Sequence, residues 1–387
     1  MSNVLKAKEI MKELHKRGYE AYIVGGYVRD LLLGIENQDI DIATNALPSD
    51  IKNIFPKTIL TGEKHGTVTV IYDNSHFEIT TYRTDGNYLD NRKPESVHFI
   101  SSLQEDLKRR DFTMNALALT IDEQIIDYVD GKKAIEEKLI KTVGNPDERF
   151  HEDALRMLRA FRFVSSLGFS IESIALTAIS KNAYLLKNIS MERILQELEK
   201  TVLGPYFLKA CDLMIESKFY KSLPPFSKGL EKIYSTKFKP DNLLEFLIFC
   251  AVVDDLDAIL NLPIANNMKR VINIVYEMVK LEIRDFTKPI LYRNGLENCL
   301  IANKINVHLY NHPDLYEKIK NDYESLPIHK PCDLQFKGDN IIQLYTKKPG
   351  AWISEIIDDI TLKVLNGILE NDYQVLKNYV LNVYQDK

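Results

Sequence analysis

Two aspartates, Asp39 and Asp41, stand two residues apart in the segment DIDIAT (39–44). In an extended strand, this alternation puts both carboxylates on one face and both isoleucines on the other. Two carboxylates that close repel each other, and the arrangement is tolerable mainly when a divalent cation lies between them. Mg²⁺ is the natural choice for a site of hard oxygen ligands. The alternative interpretation is a solvated edge strand.

A glycine pair precedes these aspartates in GGYVRDLLLG (25–34), between a predicted strand and a predicted helix. Glycines such as Gly26 let the backbone approach a ligand closely, and the N-terminus of the following helix favours an anion. Arg29 adds a cationic fork suited to phosphate. The spacing lacks the third glycine of the dinucleotide-binding fingerprint. A tight turn without ligand is the alternative.

Glu78, in the predicted strand HFEITTYR (76–83), can supply a third carboxylate if its strand neighbours the first. A pair of aspartates with a third acid downstream, after a glycine-rich phosphate turn, is the minimum set for two-metal nucleotidyl transfer. In that chemistry one ion activates the attacking hydroxyl and the other holds the triphosphate.

Two further segments combine basic and acidic residues. In RRDFTMNA (109–116), Arg110 can donate to ribose or phosphate and Asp111 can accept from a 2′-hydroxyl, unless the cluster is a solvated loop. In EDALRMLRAFRF (152–163), we expect Asp153 and Arg156 one turn apart on a helix, as a fixed acceptor and donor. Each three-residue step turns the position by about 60° around the helix, so Arg159 and Arg162 lie progressively farther from the face of Asp153. They can reach the same ligand only through their long side chains. A surface ion pair on an amphipathic helix is the alternative.

The elements that position these residues divide the chain into a mixed and a helical part. Predicted strands at 21–26, 39–44, 67–73, 76–83 and 123–131 all lie before about residue 135, and helical periodicity follows. The expected fold class is α+β, a small mixed sheet followed by an all-α remainder.

Composition narrows the class of protein. The 387 residues are 45% apolar and 27% charged, which excludes disorder and disulfide-stapled miniproteins. We expect no membrane span, no signal peptide and a cytoplasmic location. Four cysteines without a CxxC pair indicate neither a zinc site nor a disulfide framework, and we expect them to be buried thiols. The net charge of −5 means that any nucleic acid must be bound by local basic patches.

Taken in order, five motifs resemble the class II tRNA nucleotidyltransferases, or CCA-adding enzymes, of the DNA polymerase β superfamily. They are GGYVRDLLLG with DID, RRDFTMNA, DYVDG (127–131), EDALRMLRAFRF and SMERILQELEK (190–200), which together cover about residues 20–200. The segment GDNIIQLYTKKPGAW (338–352) is similar to the tail of the shorter, Gram-positive-type enzymes.

The resemblance implies a head (1–135), neck (136–205), body (206–325) and tail (326–387). It implies template-independent addition of C, C and A to the tRNA 3′ end from CTP and ATP, with Mg²⁺ as cofactor. It also implies catalytic and metal-binding roles for Asp39 and Asp41, with Glu78 as third acid. The implied nucleotide-binding positions are Gly26, Arg29, Arg110, Asp153, Arg156, Arg159 and Arg162.

Related functions remain as alternatives at this point. TGEKHGTV (61–68) is similar to the CCA-adding version of its segment rather than to that of bacterial poly(A) polymerases. The loop DGNYLDNRKP (85–94) favours full CCA or A-only addition over CC addition. A non-catalytic RNA-binding module is disfavoured because the acidic residues are intact. The absence of a His-Asp dipeptide predicts no phosphohydrolase activity and no transition-metal site.

The expected RNA partner is tRNA, recognised at its acceptor stem and TψC arm through phosphates and sugars. Candidate basic patches are KKPG (347–350) with Lys337, Lys269 with Arg270, and Lys280 with Arg284. The sequence leaves open whether the chain forms a homodimer.

Asp153→Ala should relax base choice more than it weakens triphosphate binding. Cytosine and adenine present an amino donor beside a ring-nitrogen acceptor, which fits an acceptor–donor pair, whereas uracil and guanine present the opposite pattern. Each bidentate contact contributes roughly 1–3 kcal/mol of discrimination. Incorporation measured with each nucleotide separately checks this, and unchanged rejection of UTP and GTP would contradict it.

Overall fold

The structure is a computed structural model that describes residues 2–62, 66–85, 88–89, 93–94 and 97–384. The chain forms two compact units. The first comprises Met1–Ser235 with Lys239–Leu243, and the second comprises Thr236–Phe238 with Leu244–Lys387. The four-lobe boundaries expected from the sequence stay a prediction.

The described strands lie in the first unit, and the largest sheet that they form is mixed. Their bounds are β1 Ala21–Val24, β2 Asp41–Thr44, β3 Thr58–Gly62, β4 Thr67–Tyr72, β5 Ser75–Thr81, β6 Arg83–Asp85, β7 Tyr88–Leu89, β8 Lys93–Pro94, β9 Val97–Phe99, β10 Leu117–Leu119, β11 Ile125–Asp127, β12 Leu139–Ile140 and β13 Ser170–Ile171. The main sheet has seven strands in the order β11-β10-β1-β2-β5-β4-β3. The mixed sheet expected from the alternating segments is therefore confirmed.

The register of the sheet brings the predicted acidic residues together. β2 runs parallel to β5, and Asp41 is the register partner of Glu78. On its other side β2 runs antiparallel to β1, where Asp41 pairs with Val24. Alternation in β5 buries Phe77 and Ile79 and leaves Glu78 exposed, as expected for a strand with one face on the core.

Helices complete the first unit. Their bounds are α1 Asn3–Lys16, α2 Gly26–Leu33, α3 Pro48–Ile54, α4 Leu103–Lys108, α5 Gly131–Glu136, α6 Pro146–Glu152, α7 Leu155–Leu167, α8 Ser173–Asn182, α9 Met191–Val202, α10 Phe207–Glu216 and α11 Ser227–Thr236. Helix α1 shows why they form. Its Ala7, Ile10, Met11 and Leu14 follow the three- and four-residue helical spacing, and all are fully buried.

Helices α7 and α9 approach each other closely near Gly204, which follows α9. A Cβ at this position would lie 2.1 Å from Ser165 Oγ and 2.5 Å from Ser165 O. Ser165 Oγ also donates to Thr201 O at 2.5 Å. Glycine is therefore required here for space, and the contact fixes the distance between two helices that carry predicted motifs.

The second unit is helical throughout its described residues. Its helices are α12 Leu243–Val253, α13 Leu256–Leu260, α14 Asn266–Lys280, α15 Lys288–Asn294, α16 Leu296–Tyr310, α17 Tyr316–Glu324, α18 Gly338–Leu344, α19 Ala351–Leu365 and α20 Tyr373–Val383. Helix α12 is apolar on nearly every side and forms the core. Its one acidic residue, Glu245, is buried and accepts from Lys304 Nζ of α16 at 2.7 Å.

Several expectations need correction or lie outside the described residues. Cys332 is exposed, although Cys211, Cys250 and Cys299 are buried as expected. The two-residue strands β12 and β13 pair in parallel beyond residue 135, where only helix was expected, because two residues are too short to show alternation. Residues 63–65 of the 61–68 segment, and residues 86, 87 and 90–92 of the 85–94 loop, lie outside the described residues. Within the described part of the chain, no helix has the length and apolar character to cross a bilayer.

Gly204→Ala should lower the free energy of unfolding by about 1–3 kcal/mol, because overpacking displaces α7 from α9. Gly338→Ala is the matched control, since its Cβ would lie at an ordinary 3.5 Å from Ile353 Cγ2. Urea unfolding followed by circular dichroism measures both. Equal stability of the two variants would show that the contact at Gly204 relaxes freely.

Candidate active site

One cavity of about 750 Å³ in the first unit is lined by all ten site residues predicted from the sequence. They are Gly26, Arg29, Asp39, Asp41, Glu78, Arg110, Asp153, Arg156, Arg159 and Arg162. A volume of this size lies within the range of small-molecule sites. Residues up to 136 positions apart in the sequence, from Gly26 to Arg162, thus come to one place, while their individual roles stay predictions.

Arginine dominates the described residues that line the cavity. Eight arginines face six carboxylate residues there. The arginines are Arg29, Arg83, Arg109, Arg110, Arg156, Arg159, Arg162 and Arg193. Guanidinium groups match the planar geometry of phosphate oxygens, so the lining favours a polyanionic ligand next to an acidic end.

The acidic end is centred on Asp41, the first residue of β2. Burial, followed by the charges of Asp39 and Glu78, raises the pKa of Asp41 to about 6, while Arg110 acts in the opposite direction. Asp39 lies in the loop before β2, not within the strand as expected from the alternation. The three carboxylates are nevertheless close enough for their charges to interact.

The donor chemistry of this cluster fits a hard divalent cation, because all of the donors are carboxylate oxygens. As the side chains stand, no group of three His, Cys, Asp or Glu residues among the described residues is arranged to hold a metal ion. Asp39 and Glu78 are exposed, and the three carboxylates repel one another when no cation lies between them. The backbones of Asp41 and Glu78 are fixed by the ladder between β2 and β5, whereas Asp39 precedes β2.

Gly25 lets the backbone turn from β1 into α2 directly beside this cluster. Its φ of +77° is a conformation that favours glycine. A Cβ at Gly25 would lie 3.2 Å from Arg110 Nη1 and 3.8 Å from Asp41 Oδ2. The first glycine of the pair is therefore required both for the turn and for the close approach of these two side chains, whereas the sequence had singled out Gly26.

Arg29 is held rigidly at the wall of the cavity. Its Nε and Nη2 lie 2.8 and 2.7 Å from Asp30 Oδ1, and its Nη1 donates to Asn115 Oδ1 at 2.8 Å. The side chain is almost completely buried. Asp30 and Asn115 were not among the predicted site residues, although both stand in quoted motifs.

Asp106 organises the arginines that follow α4. Its carboxylate is 1% exposed and accepts from Arg109 at 2.7 Å and from Arg110 at 3.4 Å. Burial would raise the pKa of Asp106, but the two guanidinium groups hold it below its usual range. Asp106 was not among the predicted site residues, although its spacing of three and four residues from the two arginines is the signal that could have identified it.

Asp111 anchors Arg159. Its Oδ2 accepts from Arg159 Nε at 2.8 Å and Nη2 at 2.5 Å, and its Oδ1 accepts from the Phe112 amide at 2.8 Å. Burial opposes the charge, but Arg159 lowers the pKa of Asp111 to about 2. The sequence suggested Asp111 as an acceptor for a ribose hydroxyl, whereas both of its oxygens are engaged within the protein here.

Asp153 and Arg156 do not lie on one continuous helix, and the predicted helix over both was wrong. α6 ends at Glu152, and Asp153 is extended with φ −140° and ψ 105°. Its Oδ1 accepts from the Leu155 amide at 3.1 Å, so the aspartate caps α7 as aspartates do at helix starts. Arg156, in the first turn of α7, donates to Glu152 Oε2 at 2.5 Å.

Helix α9 supplies two side chains that the sequence analysis quoted in a motif without assigning a role. Arg193 Nη2 donates to Asp153 Oδ2 at 2.8 Å. Glu197 is buried and lies 3.2 Å from Arg162 Nη1 and 3.8 Å from Arg159 Nη1. Their separation of four residues places both on one face of α9, which is the signal that could have identified them.

Phe163 packs among three of the arginines. Its ring centroid lies 4.4 Å from the guanidinium carbon of Arg162, 5.3 Å from that of Arg29 and 5.8 Å from that of Arg159. Its ring meets Phe112 edge to face at 5.6 Å. The attraction of an aromatic face for cations helps to offset the repulsion between neighbouring guanidinium groups.

Asp111→Asn should lower the free energy of unfolding by about 3 kcal/mol near pH 7, because Arg159 loses its partner. The lowered pKa of Asp111, about 2 against a usual 3.8, sets the pH dependence. The stabilisation is complete above the usual value and is lost as pH falls through about 2, so the difference from wild type shrinks below about pH 4. Urea unfolding from pH 7 to pH 3 tests this, with the exposed Asp122→Asn as control. A difference independent of pH would contradict the assignment.

Family models match three parts of the chain. Residues 21–141 match the poly A polymerase head domain, residues 168–229 match a probable RNA and SrmB-binding site of polymerase A, and residues 244–380 match tRNA nucleotidyltransferase domain 2. The head model thus covers the strands that carry the acidic cluster.

Relatives match nearly the whole chain. The chain is 36% identical to the CCA-adding enzymes of Bacillus cytotoxicus and Bacillus cereus over 98% of this chain and 98% of each relative. The crystal structure of the Bacillus stearothermophilus CCA-adding enzyme in complex with CTP superposes with a TM-score of 0.86 at 35% identity, covering 100% of this chain and 98% of that one. A Thermotoga maritima CCA-adding enzyme shares the fold at 21% identity with a TM-score of 0.69, over 98% of each chain. With this identity over nearly its full length, the chain belongs to the CCA-adding enzymes and is a tRNA nucleotidyltransferase.

Proposed function

We propose that this enzyme adds C, C and A in succession to the 3′ end of tRNA, using CTP and ATP and no nucleic-acid template. The observation that supports this most directly is the cavity in which the acidic cluster at Asp41 adjoins eight arginines. A nucleoside triphosphate needs both kinds of group. Its phosphates bind to cationic side chains, and reaction at its phosphorus needs a metal ion, which carboxylates hold.

We propose Mg²⁺ as the divalent cation, held by Asp39 and Asp41, with Glu78 as the third catalytic acid. Bound there, the metal would activate the attacking 3′-hydroxyl and neutralise charge on the triphosphate. Asp41 must be ionised to bind it, and its raised pKa of about 6 still leaves it mostly ionised at neutral pH. The repulsion that raises this pKa is what a cation relieves.

For the triphosphate, we propose binding by Arg29 and Arg110 with the backbone at Gly26, and by the arginines of α7. Arg29 is preorganised by Asp30 and Asn115. Arg159 is fixed by Asp111, and Arg162 by Glu197. A guanidinium held in place before the ligand arrives loses less conformational entropy on binding.

For base selection, we propose Asp153 as acceptor and Arg156 as donor. They do not lie on one helix, as the sequence had predicted, because Asp153 is extended between α6 and α7. Asp153 is positioned by its own cap of α7 and by Arg193, so its orientation depends on α9 as well as α7. Rotation of the Arg156 side chain away from Glu152 would present its donors to a base. The pair then matches the amino and ring-nitrogen groups of cytosine and adenine.

For tRNA binding, we propose that the acceptor stem and TψC arm are held through phosphates by basic patches of the second unit. Lys347 and Lys348 are exposed there, as are Arg270, Lys280 and Arg284. Recognition of A-form shape and backbone rather than of sequence suits a substrate set that includes every tRNA. The head, neck, body and tail boundaries, a homodimer and a cytoplasmic location stay predictions.

The test uses tRNA transcripts that end at the discriminator base, at C or at CC, each with CTP, ATP or both. We expect extension by three, two and one nucleotides when both nucleotides and Mg²⁺ are present. Asp41→Asn should abolish extension because the fixed metal ligand is lost, while the exposed Asp122→Asn should leave it unchanged. Extension of the CC transcript alone would indicate an A-adding enzyme, and a long A tail would indicate a poly(A) polymerase.

A further inference from the structure

Asn37 lies in the segment between α2 and β2, and no motif assigned it a role. Its carboxamide makes two hydrogen bonds in opposite directions. Nδ2 donates to Asp30 Oδ2 at 2.7 Å, and Oδ1 accepts from the Asp39 amide at 2.8 Å. Asn37 also lines the cavity of the candidate site. One side chain therefore contacts the partner of Arg29 and the backbone of a predicted metal ligand.

On the Arg29 side, Asp30 shares its two oxygens between two partners. Oδ1 is taken by Arg29, and Oδ2 by Asn37. Asp30 is 7% exposed, and a buried carboxylate needs hydrogen bonds to both oxygens to offset its lost hydration. The bond from Asn37 therefore fixes the carboxylate plane of Asp30, and that plane orients the guanidinium group of Arg29.

On the metal side, Asp39 is exposed and precedes the strand. Nothing in a sheet ladder holds it, because β2 begins at Asp41. The bond from the Asp39 amide to Asn37 Oδ1 forms an Asx turn, which sets where the Asp39 side chain leaves the backbone. Residues that orient metal ligands typically change metal affinity by 10–100-fold when they are removed.

We propose that Asn37 is a positioning residue that orients both the metal-binding Asp39 and, through Asp30, the phosphate-binding Arg29. The inference rests on the roles proposed above for those two residues. It predicts that loss of the Asn37 carboxamide weakens metal binding and nucleotide binding separately, each through its own hydrogen bond. A local turn of purely structural importance would affect stability without this separation.

Two variants separate the effects of the two Asn37 hydrogen bonds. Asn37→Ala removes both. Asn37→Ser keeps a hydroxyl oxygen that can accept from the Asp39 amide in the same kind of turn, but it is too short to reach Asp30. Gln38→Ala is the matched control, since the neighbouring Gln38 is exposed and its side chain donates to Glu36 at 2.9 Å. Thermal unfolding by circular dichroism verifies that each variant is folded.

Binding is measured on the full chain without turnover. Mn²⁺ affinity is determined by electron paramagnetic resonance without nucleotide or tRNA, and CTP affinity by equilibrium dialysis in EDTA. We expect Asn37→Ala to weaken Mn²⁺ binding about tenfold and CTP binding about threefold. Asn37→Ser should regain most of the Mn²⁺ affinity while its CTP affinity stays as low as that of Asn37→Ala. Gln38→Ala should match wild type in both.

Two results would overturn the proposed positioning role. One is Mn²⁺ affinity in Asn37→Ala equal to that in Gln38→Ala. The other is full recovery of CTP affinity in Asn37→Ser, which would show that the bond to Asp30 is irrelevant. Should Asn37→Ala fail to fold, Asn37→Ser decides alone, because unchanged CTP affinity in it contradicts the proposal. Failure of the proposed function is separate, since it would appear in wild type as no Mg²⁺-dependent extension of tRNA transcripts.

Discussion

Compensation of charge within one cavity is the constraint on which the rest of this structure depends. Eight arginines and six acidic residues line it, and like charges this close would repel one another without fixed partners. Asp106 and Glu197 each form ion pairs with two arginines, and Asp111 forms one with Arg159 at 2.5 Å. The arginines are therefore held by the protein before a ligand arrives, and a bound triphosphate would meet groups that are already oriented.

The acidic end follows the opposite logic. Asp41 has acidic neighbours whose charges, together with burial, raise its pKa, and the compensation there is left for a cation. The sheet register enforces this, because β2 and β5 place Asp41 directly opposite Glu78. The charges of the arginines are thus compensated within the protein, whereas the acidic cluster is suited to a metal ion. Phosphoryl transfer uses both kinds of group, cations that bind the phosphates and carboxylates that hold a metal.

The break between α6 and α7 connects this electrostatic arrangement to the proposed selection of the base. Asp153 leaves the helix to cap α7, and α9 holds it through Arg193. The contact at Gly204 sets the separation of α7 and α9. The proposed base-reading residues and their partner Arg193 are thus carried by two helices that pack closely at this glycine.

The fold class, the family and the ten cavity residues were predictable from the sequence, because motif residues with strong chemical preferences stand at fixed spacings. The sequence pattern placed strands β1, β2, β4 and β5. Burial alternates along β4 and β5, as expected for a one-sided core, whereas β1 and β2 are mostly buried on both faces. The pattern missed β10, whose three residues are all buried. Long-range charge pairs became visible only in the folded chain. Asn115 pairs with Arg29, Arg193 with Asp153, and Glu197 with Arg162, and spacing along the sequence does not encode contacts between residues so far apart. The pairs of Asp106 are different, because they follow the local spacing of three and four residues. At Asp153 the capping contact to the Leu155 amide replaced the expected helical conformation.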